Sequence, residues 1–94
     1  MVYMDIHRWK GRLFSHLIAD DLEEMHRFAR QLPCSRLWFH RKRGFPHYDL
    51  YGHCIPAAMA AGARLISTRE LIQIARKCQQ AREKERLTRS NTAQ

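Results

Sequence analysis

Four absences narrow what this chain can be. Its four glycines are isolated, so it has no glycine-rich loop to cradle a phosphate. It has no serine or cysteine in a recognisable nucleophile setting, and Cys34 beside Pro33 and Cys54 beside His53 read as incidental. The three cysteines, Cys34, Cys54 and Cys78, are odd in number, widely spaced and without a Cys-x-x-Cys pair. That argues against a disulfide framework and a zinc knuckle, and predicts reduced thiols in a cytoplasmic setting. Long apolar runs are also missing. Asp5, His7, Arg8 and Lys10 interrupt the N-terminal stretch, which predicts no signal peptide, and nothing approaches the roughly 20 apolar residues of a membrane span.

What the chain has in excess is positive charge. Seventeen Lys and Arg against nine Asp and Glu give a net charge of +8 and a pI near 10.1. Such a field attracts nucleic acid, nucleotides, anionic membranes or acidic protein surfaces, and no membrane partner is expected here. Ninety-four residues make one small domain with a single core.

The spacing of residues predicts a small single-domain α/β fold with a mixed sheet, in the order β-β-α-β-α-β-α. Strands are expected at residues 2–6 and 13–19, with a loop over 9–12 between them. In the second strand His16, Ile18 and Asp20 share one face, and Leu17 and Ala19 the other. Asp20-Asp21 opens a helix with Glu23 and Glu24 in its first turn, and Leu22, Met25, Phe28, Ala29 and Leu32 form its buried stripe until Pro33 stops it. Residues 37–40 read as a third strand, 55–61 as a short helix capped by Gly62, and 63–67 as a fourth strand. Ser67 or Thr68, with Glu70, caps a last helix running to about residue 85. The domain is thus expected over 1–82, with a basic, polar, frayed tail at 83–94. Alternating strands and helices favour parallel neighbours, with ligands beyond the strand ends.

The stretch Phe45-Pro46-His47-Tyr48-Asp49 follows the basic run Arg41-Lys42-Arg43-Gly44. Pro46 marks it as a shaped loop. In extended backbone His47 and Asp49 point one way and Tyr48 the other. His16, Asp20, His47 and Asp49 are the candidate catalytic set, expected to converge with Tyr48 and Trp38 near the wall; His26 borders the helix stripe. Imidazole with carboxylate suits a divalent zinc, manganese, iron or nickel ion, although no compact metal motif is present. A histidine oriented by a carboxylate can equally shuttle protons without a metal. The third reading is the preferred one. Trp38, Arg41, Lys42, Arg43 and Tyr48 mix basic and aromatic side chains, as binding of a nucleotide or single-stranded nucleic acid requires. The expectation is a basic binding module for an anionic ligand. The alternatives are a small hydrolase or nuclease, metal-assisted or not, and a phage-type protein that blocks a host protein.

Several of these residues form a pattern that resembles an uncharacterised family, domain of unknown function 4031. They are Val2-Tyr3-x-Asp5, His16-Leu17-x-Ala19-Asp20, Leu22-Glu23-Glu24-Met25-His26, Trp38-Phe39, Pro46-His47-Tyr48-Asp49-Leu50 and the Gly62-Ala63 step, spanning about residues 1 to 70. Similar small proteins are carried by bacteria and their phages. The chain departs from that pattern at His40, where the family has Gln, and at Cys54-Ile55-Pro56, where it has Lys-Arg. The resemblance implies a shared fold and site, with no established activity.

Overall fold

The structure is a computed structural model that describes residues 1–34, 38–40 and 45–92; for Trp38 and 89–92 it describes the backbone. The elements in order are β1 (Val2–Met4), β2 (His7–Trp9), β3 (Arg12–Ala19), α1 (Leu22–Arg30), β4 (Trp38–His40), β5 (His47–Tyr51), α2 (Cys54–Ala60), β6 (Arg64–Leu65) and α3 (Thr68–Thr92). The expected mixed α/β fold is present. One sheet runs β4-β5-β3-β1-β6, with β2 also paired to β3.

β3 is the spine, and its partners follow from one register. β1 pairs Met4 with Leu17, and β2 continues on the same line with His7 opposite Phe14, so the two short strands lie along one side of β3, interrupted at Asp5-Ile6. Lys10 and Gly11, both at positive φ, make the two-residue turn into β3, the twist that a tight hairpin needs. The expected loop over 9–12 is therefore a hairpin tip. The expected loop at His47 is also a strand: β5 pairs with β3, Asp49 opposite His16, and with β4, His40 opposite His47. Pro46 stands just before this strand, where a missing N–H costs no ladder bond.

The expectation of parallel neighbours is corrected. Only β1–β6 is parallel among the described pairings, and the other four are antiparallel. Element order alone cannot set strand direction, because a hairpin such as β2–β3 reverses the chain within two residues.

Alternation along the strands gives the sheet two faces. Met4, Leu17 and Leu50 point to one, where α1 packs on β1 and β3 and α2 on β5; all three side chains are fully buried. Asp21 caps α1 by accepting the Glu24 N–H at 2.7 Å, and Met25 and Ala29 fill its buried stripe. The opposite face is covered only in part. There α3 lies over Ile18, and Leu71 and Ala75 complete the core. Both faces of β3 are therefore buried toward its C-terminal end, which explains why Leu17 and Ile18 are both inaccessible despite pointing apart.

Ser67 caps α3 as expected, accepting the Glu70 N–H at 3.1 Å while its hydroxyl meets the Glu70 carboxylate. Gly62, at φ 109, closes α2 with its N–H on Met59. α3 continues to Thr92, beyond the expected end near residue 85. Arg82, Glu83, Lys84, Glu85, Arg86 and Leu87 are good helix formers, so the pattern that ends core contact does not end the helix.

Cys34 and Cys54 form a disulfide, which corrects the expectation of reduced thiols. An odd count leaves one cysteine over without forbidding a pair, and here Cys78 is the one left. The fold brings the end of α1 to the start of α2, with the two Cα atoms 6.1 Å apart, within disulfide range. The argument for a reducing compartment goes with it. Among the described residues no helix is long and apolar enough to cross a membrane.

Candidate functional site

From the first residue of α3 outward, the second sheet face carries a row of histidines and two carboxylates. Across three strands the order is Asp5, then His16 on β3, then Asp49 on β5, with His47 beside Asp49 and His40 on β4 opposite His47. The rings touch in sequence. His7 stacks on His16 at 4.6 Å between centroids, His16 meets His47 edge-on at 5.2 Å, and His47 stacks on His40 at 5.3 Å.

Asp5 is fully buried and saturated with donors. It accepts the His16 backbone N–H at 2.7 Å, the His16 Nδ1 at 3.0 Å and the Thr68 hydroxyl at 2.7 Å. Burial alone would push its carboxyl up, but the His16 ring, the His16 N–H and Thr68 together hold it below the usual carboxylate range. The same contact raises the His16 ring, its bond to Asp5 outweighing burial. His7 Nδ1, 4.0 Å from Asp5, is buried without a hydrogen-bond partner among the described residues.

Asp49 is a quarter exposed and faces imidazoles. His40 Nε2 lies 2.8 Å from one of its oxygens and His47 Nε2 3.3 Å from the other. His47 Nδ1 sits 3.0 Å from the Phe45 carbonyl, which can only accept, and this contact, shorter than that of Nε2 to Asp49, assigns the proton of the neutral ring to Nδ1. In the neutral ring Nε2 then turns a lone pair toward Asp49 Oδ1. Two acceptors face each other, an arrangement that a proton or a cation between them relieves. His16 is fixed the same way. Asp5 accepts a hydrogen bond from its Nδ1–H, so that in the neutral ring Nε2 is an acceptor. One ring nitrogen of His16, one of His47 and an oxygen of Asp49 lie within 4.8 Å of one another.

His16, His47 and Asp49 thus come together as the sequence suggested; Asp20 does not. It lies at the far end of β3, ion-paired at 3.3 Å to the N-terminal ammonium. Sharing a strand face with His16 is not proximity, since four residues along a strand span about 13 Å. Tyr48 lies on the opposite face, its hydroxyl 2.7 Å from His26 Nδ1 on α1, so it does not wall this site. Arg41, Lys42, Arg43 and the Trp38 side chain fall outside the described residues. Sequence reasoning missed Asp5, His7 and His40. The alternation Tyr3-x-Asp5-x-His7 was the available signal for the first two.

Aromatic side chains continue the row. Phe14 packs edge-on against Tyr51 at 5.2 Å, and His7 stacks on Phe14 at 5.8 Å. A depression of about 170 Å³ is lined by His7, Trp9, Phe14, His16, Asp49 and Tyr51. A larger apolar cleft of about 700 Å³ opens beside it, sharing Phe14 and Tyr51 and bordered by Arg12, Leu13 and Ile55.

The family model described as protein of unknown function (DUF4031) matches residues 2–78. The chain belongs to this family. The match contains β1 to β6 and the part of α3 that touches the core, and so includes every residue of the histidine row. No curated protein and no solved structure matches the chain.

Proposed function

We propose that this DUF4031 protein is a binding module for an anionic ligand that carries a base, a nucleotide or single-stranded nucleic acid. The observation that carries the reading is the shared wall. Phe14 and Tyr51 border both the small polar depression and the larger apolar cleft, so one ligand can place a phosphate on the histidines and a base against the aromatics. The cleft volume is within the range usual for small-ligand sites. Stacking contributes about 1–3 kcal/mol per base and tolerates any base, while the net charge of +8 supplies long-range attraction.

Fluorescence anisotropy with labelled single-stranded oligonucleotides and nucleotides tests it. Affinity should fall steeply with salt, because each neutralised phosphate releases counterions. Tyr51→Ala should weaken binding by roughly 1–3 kcal/mol. The triple replacement of Arg41, Lys42 and Arg43 by Ala should weaken it more than that of Lys84, Arg86 and Arg89. No binding at low salt to any of these ligands would sink the proposal.

A second reading has its own observation. A His47 lone pair facing a carboxylate is a place to hold a proton or cation beside a bound phosphate, as a small hydrolase or nuclease would need. Hydrolysis of a labelled oligonucleotide, lost in His47→Ala, would favour it over binding alone.

A further inference from the structure

We propose that His16 Nε2, His47 Nε2 and a carboxylate oxygen of Asp49 bind a divalent first-row transition metal ion. The inference goes beyond the anion-binding reading and stands without it, because the metal alone is the probe.

Outer partners aim the ligand atoms. A metal-binding histidine usually donates its other ring N–H to a carboxylate or a backbone carbonyl, which fixes the tautomer and the ring angle. Here His16 donates to Asp5 and His47 to the Phe45 carbonyl. Both rings therefore present Nε2 lone pairs, and both belong to one cluster with Asp49. Asp49 has its own outer partner, His40 Nε2 at 2.8 Å on the oxygen that His47 does not face. Each of the three ligands is thus held from behind by a different group.

Distances agree with the chemistry. Ligands at about 2.0–2.2 Å around a tetrahedral ion stand about 3.4 Å apart. His47 Nε2 and Asp49 Oδ1 are already 3.3 Å apart. Two imidazoles and a carboxylate suit zinc, iron, cobalt or nickel better than magnesium or calcium, which take oxygen ligands. Three protein ligands leave a coordination position open to solvent.

The competing clusters fit less well. In Asp5, His7 and His16 the carboxylate is already filled by three donors. In Cys34, His53 and Cys54 the two sulfurs are bonded to each other.

The test is titration of the full chain, disulfide intact, with zinc by calorimetry and with cobalt by visible absorption, in phosphate-free buffer. The expected result is one ion per chain and a cobalt spectrum of nitrogen and oxygen ligands. His47→Ala and Asp49→Asn should weaken binding by more than the roughly 10- to 100-fold that loss of an outer partner costs, and His40→Ala should fall in that range. His26→Ala, on the other face, should bind as the parent does. Should a ligand variant fail to fold, nitrogen NMR of the native protein decides alone: substoichiometric zinc must shift the Nε2 signals of His16 and His47. Absence of stoichiometric binding would overturn the proposal. So would retained affinity in His47→Ala and Asp49→Asn, a sulfur-to-cobalt charge-transfer band, or unmoved Nε2 signals.

Discussion

Asp5, between β1 and β2, and Asp49, on β5, flank His16 on one face of the sheet. Asp5 is inaccessible and receives an amide, an imidazole and a hydroxyl, the last from α3, 63 positions away. Asp49 is partly exposed, and two imidazoles meet its carboxylate. The first ties the sheet to a helix and sets the angle of His16. The second meets one imidazole on each oxygen, and His47 turns a lone pair toward it. One histidine between two carboxylates thus separates a structural contact from a chemical one.

The largest expected effect is on the Asp5 side. Asp5→Ala strands the His16 N–H and ring and the Thr68 hydroxyl, so it should cost about 3–5 kcal/mol. In a domain this size that is a fall in melting temperature on the order of 15 °C or more, read by circular dichroism. A loss as small as that of Asp49→Ala would erase the distinction.

Next in size is the pH dependence of stability. The folded Asp5 carboxyl lies below its usual value, so its contribution is present above about pH 4 and is lost as pH falls through the lowered folded value. The folded His16 ring lies above its usual value, so its contribution is complete below about pH 6.5 and is lost as pH rises through the raised folded value. The pair should stabilise most between roughly pH 4 and 6.5. Urea melts across that range should show the acid limb flattened in Asp5→Asn and the alkaline limb flattened in His16→Gln.

A smaller effect belongs to the covered face. Tyr48→Phe removes the hydroxyl bound to His26 and should cost about 1 kcal/mol, leaving metal and ligand binding unchanged. The smallest stability change should come from Asp49→Asn, within about 1 kcal/mol of the parent, because its surroundings remain partly solvated. If Asp49→Asn instead melts as low as Asp5→Ala, Asp49 is a brace and the site reading fails.

The parts legible in the sequence are local ones. The α1 stripe, the Ser67–Glu70 cap and the Gly62 stop each depend on residues within a few positions, and each is in the structure. The His47/Asp49 pair was legible for the same reason, since period-two alternation places both on one side. The rest depends on contacts the chain makes at a distance. Strand direction turns on the Lys10-Gly11 hairpin, where Lys10 carries none of the usual signals for positive φ. Asp5 acquires its role from Thr68, far along the chain, and Cys34 finds Cys54 only once α1 and α2 are placed. Asp20 shows the opposite error, in which correct parity stood in for a distance it did not have.

In the proposed metal site Asp5 and the Phe45 carbonyl hold the neutral rings of His16 and His47 with their protons on Nδ1 and their lone pairs on Nε2. Long-range proton–nitrogen NMR of the metal-free protein reads this directly, at a pH where both rings are neutral. Both histidines should be Nδ1–H tautomers, and His16 should change in Asp5→Asn while His47 does not. An Nε2–H tautomer at either residue would contradict it, because the ring proton would then sit on the nitrogen assigned to the metal.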